Sequence, residues 1–319
     1  MPAPIALFAF NRPGHLQQTL SALAANNLAD QTILHIFCDG PRNKEDQLLT
    51  NSVREIANNA CGFAAVHIHF SSTNKGLADS IIDGVTHVVK KYGEVIVLED
   101  DLVTSPYFLR FMNDGLDVYR DSPEVASIHG YLFPHQGGAP ETFFLRGADW
   151  WGWATWARAW DAFEPDGQAL LQKITNQNLK NSFNADDTYD FTGLLVDVIA
   201  QKTNSWAVRW HASTFLRNMQ TLYPGKSLVQ NIGADGTGTH MTSKTSIFDT
   251  ELTTLPIIVE KIDAVQHDLM YAQKKKFLLL QSGGRVGMIK THIRRRYPSL
   301  EKIWRYFQQV HAAIKKDNE

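Results

Sequence analysis

The apolar positions of the first 130 residues follow two rhythms. Short apolar or alternating runs read as strands: IALFAF from Ile5, TILHIFC from Thr32, AAVHIHF from Ala64, EVIVLED from Glu94 and EVASIHGYLF from Glu124. Between them, apolar residues recur at helical spacing. Leu16, Leu20 and Leu23 do so in HLQQTLSALAANN, and Ile81, Ile82, Val85, Val88 and Val89 share a face in DSIIDGVTHVVKKYG. Gly93 stands where that second helix would stop. SPYFLRFMNDGLDVYRD predicts a further helix, with Ser105 as its N-cap ahead of Pro106. Such alternation predicts an α/β fold with a mostly parallel sheet and helices on both faces.

From about Pro140 the pattern changes. FFLRGADWWGWATWARAWDAF holds Trp150, Trp151, Trp153, Trp156 and Trp160, and NSWAVRWHASTFLRNMQTLYP and the Gly-rich NIGADGTGTH follow. No repeat or low-complexity linker separates the halves, so the second half reads as packed on the first sheet. The expected organisation is residues 1–138, then 139–250, then a basic helical extension over 251–319. Residues after about Leu255 read as mainly helical.

Composition sets the class. At 44% hydrophobic and 20% charged, the 319 residues are those of an ordinary soluble domain. A net charge of −2 gives no nucleic-acid signal. Cys38 and Cys61 match neither a disulfide framework nor a zinc site, so a reducing, cytoplasmic setting is expected. The apolar run Ile5–Phe10 is too short for a leader or a membrane span. The charge is uneven: residues 274–319 carry 12 Lys and Arg against 3 acids. There Ile303, Phe307, Val310 and Ile314 form one helical stripe. The stretch 285–316 reads either as a basic amphipathic helix on an anionic membrane face or as a helix docked on protein.

The candidate chemistry sits where strands end, the place where ligands of parallel sheets bind. Phe10, Asn11 and Arg12 close the first strand, Asp39 the second, and Glu99, Asp100 and Asp101 the VIVL strand. Two like charges about 4 Å apart cost on the order of 4 kcal/mol at an effective dielectric of 20, and a divalent cation removes that cost. Oxygen ligands suit Mg²⁺ or Mn²⁺. A solvated turn near a helix N-terminus is the competing reading. Lys75 in NKGLA reads as either a phosphate contact or a solvated lysine.

LEDD after an apolar strand resembles the DxD metal motif of GT-A glycosyltransferases, and ALFAFNRPGHLQQTL resembles their first strand and turn. WGWATWARAW and SWAVRW…LYPGKSLVQNIG…GTH are similar to a bacterial branch of sugar transferases, more distantly to eukaryotic N-acetylglucosaminyltransferases. The resemblance spans roughly residues 3–241. It implies a GT-A (Rossmann-like) fold, inverting transfer of a sugar from a UDP-linked or related donor to an acceptor hydroxyl in cell-surface glycan synthesis, and a Mn²⁺ or Mg²⁺ cofactor. By resemblance, 1–138 would bind the nucleotide sugar and 139–250 a glycan or glycolipid acceptor. Arg12 would contact the diphosphate, and Asp39 would accept from the uracil N3–H. Asp101 would ligate the metal, supported by Glu99 and Asp100, and His240 would lie in the closing loop near it.

One departure stands out. In the similar transferases the base carboxylate follows a Trp, and here that position is Ala207, after Trp206. Asp149 and Asp190 are the replacement candidates. Aromatic faces stack on sugars, and Trp151 and Trp153, flanking Gly152, are the candidates for pocket contact; the other tryptophans read as core. A nucleotidyltransferase and a non-catalytic carbohydrate- or nucleotide-binding protein are the rival readings.

Overall fold

The computed structural model describes residues 1–237 and 244–288. Its first stretch alternates as expected: β1 (Ile5–Ala9), α1 (Pro13–Ala24), β2 (Ile33–Cys38), α2 (Lys44–Asn58), β3 (Ala65–Phe70), α3 (Leu77–Tyr92) and β4 (Glu94–Glu99). Helix α3 stops at Gly93, whose φ of 85° lies in the left-handed region that favours glycine. Helix α2 escaped the sequence reading; Asn43 caps it by accepting from the Asp46 N–H. Then come β5 (Leu102–Thr104), α4 (Phe108–Val118) and β6 (Val125–His129). Ser105 is not the cap of α4, since Tyr107 holds that position. The Ser105 hydroxyl instead donates to the Thr253 carbonyl at 2.7 Å.

The remainder supplies β7 (Thr142–Arg146), β8 (Trp153–Trp156), α5 (Ala157–Trp160), α6 (Gly167–Asn176), α7 (Lys180–Phe183), α8 (Phe191–Ile199), α9 (Trp206–Leu216), β9 (Gln220–Pro224), β10 (Val229–Asn231) and α10 (Asp268–Gln281). Eight strands make one sheet in the order β3-β2-β1-β4-β8-β6-β9-β7, and β5 pairs with β10. Strands β3, β2, β1 and β4 are parallel neighbours. β8 runs antiparallel between β4 and β6, β9 is parallel to β6, and β7 is antiparallel to β9. All but β7 and β8 therefore point one way, which gives the expected α/β sheet with flanking helices. Strands from both halves of the chain share it, and one core runs from Ala3 to Phe277. A smaller cluster, including Leu170, Phe183, Leu195 and Phe215, joins α6, α8 and α9.

The helix expected after Leu255 is present over Asp268–Gln281 but does not extend back to Leu255. Residues 251–267 carry no helix, and the first one begins at Asp268. Pro256 disfavours helix, and the backbone finds partners elsewhere. The Ile262 N–H donates to the Tyr119 hydroxyl at 2.9 Å and the His267 N–H to the Phe144 carbonyl at 2.9 Å. The segment thus covers the β7 edge of the sheet, which would otherwise expose unpaired backbone groups. His240 and residues 289–316 lie outside the described residues.

Candidate active site

The parallel register sets Phe8 of β1 beside Phe37 of β2 and Glu99 of β4. The strand ends therefore bring Phe10, Asn11, Arg12, Asp39 and the three acids to one edge of the sheet. Arg12 donates to Asp100 and, at 2.9 Å, to Asp101. The Phe10 N–H donates to the Asp100 carboxylate at 3.2 Å, and the Thr19 hydroxyl donates to the Asp100 carbonyl at 2.8 Å. Burial works against the charge of Arg12, but Asp100 and Asp101 outweigh it and raise its pKa. The Glu99 carboxylate gains no hydrogen bond among the described residues; desolvation, then Asp101 and Asp100, push it up. Burial raises Asp100 as well, against the pull of Arg12. One guanidinium thus faces three carboxylates. The surplus charge rests on hard oxygen donors, which fits Mg²⁺ or Mn²⁺ bound through one or two carboxylates.

Asp39 is the hub of the second strand end. Its Oδ1 accepts from the Gly40 and Lys75 N–H groups, both at 2.8 Å. Its Oδ2 accepts from Asn74 Nδ2 at 3.0 Å and the Gly76 N–H at 2.9 Å. Each oxygen has two donors, so a base N–H would have to displace one of them. The Lys75 side chain is exposed and paired with Asp83 at 2.8 Å. Asn11 donates to Asp46 at 2.7 Å, and Arg42, bound to the same carboxylate, lies over the Phe10 ring at 4.9 Å. Asn74, Asp46 and Arg42 escaped the sequence reading, because neither the Asn in NKGLA nor an unrecognised α2 gave a signal.

Ile232 and Gly233 lie against the acids. The Ile232 N–H donates to the Asp101 carbonyl at 2.9 Å. A Cβ on Gly233 would stand 2.1 Å from Asp101 Oδ2 and 2.9 Å from Arg12 Nη1. Only glycine lets the backbone come this close. Gly233→Ala should lose about 1–3 kcal/mol in a urea titration, the range for overpacking, and should weaken any ligand held by Asp101. An unchanged unfolding midpoint would show that the loop does not press on Asp101.

The other candidates sit elsewhere. Trp153 is fully buried and stacks with Trp206 at 5.6 Å, inside a cluster with Trp160 and Trp210. Trp151 is partly exposed and edges onto Tyr131 and Phe248. Ala207 lies buried in the first turn of α9. Asp190 caps α8, accepting from the Gly193 N–H at 2.9 Å. Asp149 accepts from the Tyr223 hydroxyl at 2.7 Å and from Lys274 at 2.9 Å. Burial alone would raise Asp149, but Lys274 reverses this and holds it near about 2.

No protein-family model matches the chain, and no curated protein matches it. Among solved structures it is similar to TarS of S. aureus, with TM-score 0.32 and 14% identity over 46% of this chain and 25% of that one. It is also similar to the mannosyltransferase PcManGT from Pyrobaculum calidifontis in complex with GDP-Man and Mn²⁺, with TM-score 0.30 and 12% identity over 42% and 38%. A third is UDP-glucose pyrophosphorylase complexed with UDP-glucose, with TM-score 0.36 and 10% identity over 70% and 91%. The chain spans less than two thirds of the first two. The α/β fold is read from the order and direction of the strands.

Proposed function

We propose that the protein is a metal-dependent glycosyltransferase that moves a sugar from a nucleoside diphosphate donor, UDP-linked in the first instance, to a hydroxyl of a glycan or glycolipid. The observation that carries this reading is the under-neutralised trio at the end of β4, with Arg12 against it and the Gly233 loop above. Asp101 and Glu99 would hold Mn²⁺ or Mg²⁺, which supplies positive charge to a departing diphosphate. Arg12 adds a planar fork of donors suited to phosphate oxygens. Residues 1–138 would take the donor and 139–250 the acceptor. Inversion would need a base within reach of the acceptor hydroxyl.

A second reading, sugar-nucleotide binding without turnover, draws on that base. Ala207 has no carboxyl, Asp149 is bound to Lys274, and Asp190 is engaged as a cap. A carboxylate held near about 2 is a weak proton acceptor. Among the described residues no helix is long and apolar enough to cross a membrane.

Thermal melting with UDP- and GDP-sugars, with and without Mn²⁺, tests binding. A ligand at 100 times its Kd should add about 2.7 kcal/mol; no stabilisation by any sugar nucleotide would sink both readings. UDP release separates them. Asp190→Asn should leave stability within about 0.5 kcal/mol, since Asn caps as well as Asp. A drop in turnover of about 10²–10⁴ in Asp190→Asn or Asp149→Asn would assign the base. Near wild-type turnover in both would remove them from that role.

A further inference from the structure

A second cluster lies on β2, β3 and α3, away from the acids. His35 projects from β2, His69 from β3 and His87 from α3. One ring nitrogen from each falls within 4.8 Å of the other two, the only such three-ligand group of His, Cys, Asp and Glu among the described residues. His35 Nδ1 and His69 Nε2 are 3.0 Å apart. Two imidazole nitrogens on a tetrahedral ion with bonds of about 2.0–2.1 Å stand roughly 3.3 Å apart. That pair is close to ligating separation, and His87 needs a side-chain movement to join it. The His87 ring is inclined at 69° to His35 and 67° to His69, so the three do not stack in one plane.

We propose that His35, His69 and His87 bind a transition-metal dication of the Zn²⁺ class, with the fourth position open to water. Imidazole nitrogen suits Zn²⁺, Co²⁺ and Ni²⁺ rather than the hard cations expected at the acids. The sites are separate: His69 is level with Glu99 of β4 but lies three strand spacings across the sheet, roughly 14 Å at about 4.8 Å per strand. A positioning partner is in place. His35 Nε2 lies 3.2 Å from the Tyr92 hydroxyl. With Nε2–H donating to that oxygen, Nδ1 keeps its lone pair for the ion, the arrangement metal-bound histidines need. Access is graded, with His35 buried, His69 half-buried and His87 exposed, so an ion can enter from the α3 side. Burial and the neighbouring imidazoles lower His35 to about 4 and lower His69 too, so both offer neutral donors at pH 7. Lys91, whose charge also acts on both rings, opposes binding. The ion would tie the edge strand β3 to β2 and α3.

The test is a Co²⁺ titration of the full chain after chelator treatment, read by visible d–d absorption. The expected result is one equivalent of Co²⁺ with the intense bands of a four-coordinate site, displaced by Zn²⁺. His69→Ala and His87→Ala should each weaken binding by about tenfold or more, and Tyr92→Phe by about tenfold. Asp101→Asn should leave the bands and their midpoint unchanged. His87 is exposed on a helix, so its substitution keeps the fold, which circular dichroism checks. Absence of saturable four-coordinate bands overturns the proposal. So does binding insensitive to His87→Ala, or binding lost only in Asp101→Asn, which would place the ion at the acids.

Discussion

Lys274→Met is expected to destabilise the fold by about 3–5 kcal/mol at pH 7, the cost of removing one partner of a buried ion pair. Lys274 comes from α10 and reaches across to Asp149 at 2.9 Å and to the Tyr223 hydroxyl at 3.0 Å. Both charges are well shielded, with side-chain exposures of 11% and 20%. Met keeps the length and apolar stem but leaves the Asp149 charge without its cation. The pH dependence separates this from lost packing. In the wild type Asp149 is held near about 2, below the ordinary carboxylate value, so its contribution is present above about 4 and lost as pH falls toward 2. In the variant, burial without Lys274 raises Asp149 above its unfolded value, so the variant regains stability as pH falls and the carboxyl takes a proton. His129 and His211 face the same carboxylate, and burial lowers both to about 4. Losing Lys274 lets them rise, which acts in the same direction. Urea midpoints at pH 7 and pH 5 should therefore show a larger deficit at pH 7. An equal deficit at both would assign the loss to packing.

That pair also marks where the sequence was opaque. Lys274 opens the basic tail in the count of charges, yet the fold buries it beside a residue 125 positions away. Local patterns cannot announce such a pairing. What they could announce they did: β1, β2, β3, β4, β6, α1 and α3 follow from apolar period and Gly93, because these elements bury one face or both against a single sheet. The strand-end acids were legible for the same reason, since an apolar run that stops at LEDD places them at a sheet edge. Asp39 was legible as a position but not as the organiser of the Asn74–Gly76 turn, since its donors arrive from another strand connection. Trp153 stands beside a glycine in a Trp-rich run, and only tertiary packing shows that it faces Trp206 rather than solvent. AAVHIHF showed alternation, but three histidines on three elements become neighbours only when β2, β3 and α3 are assembled.

Asp101→Asn should lower sugar-nucleotide turnover by about 10²–10³, the loss found when one group stabilising developing charge is removed. It should also weaken the Mn²⁺-dependent part of any thermal shift. The substitution is close to isosteric, and the amide oxygen can still accept from Arg12, so the loop bond from Ile232 to the Asp101 carbonyl should survive. The local charges move in a defined direction. Asp101 is one of the charges that raise Glu99 and Asp100, so removing it should let both fall back toward the ordinary range. Relief of that repulsion offsets the weaker hold on Arg12, and global stability should change by no more than about 1 kcal/mol. The pattern is then specific: turnover falls steeply, stability barely moves, and added Mn²⁺ does not restore the rate. Loss of turnover with collapse of the fold would make Asp101 structural. Full turnover in Asp101→Asn would move the metal away from this carboxylate, and with it the claim that a strand ending in three acids exists to hold a cation.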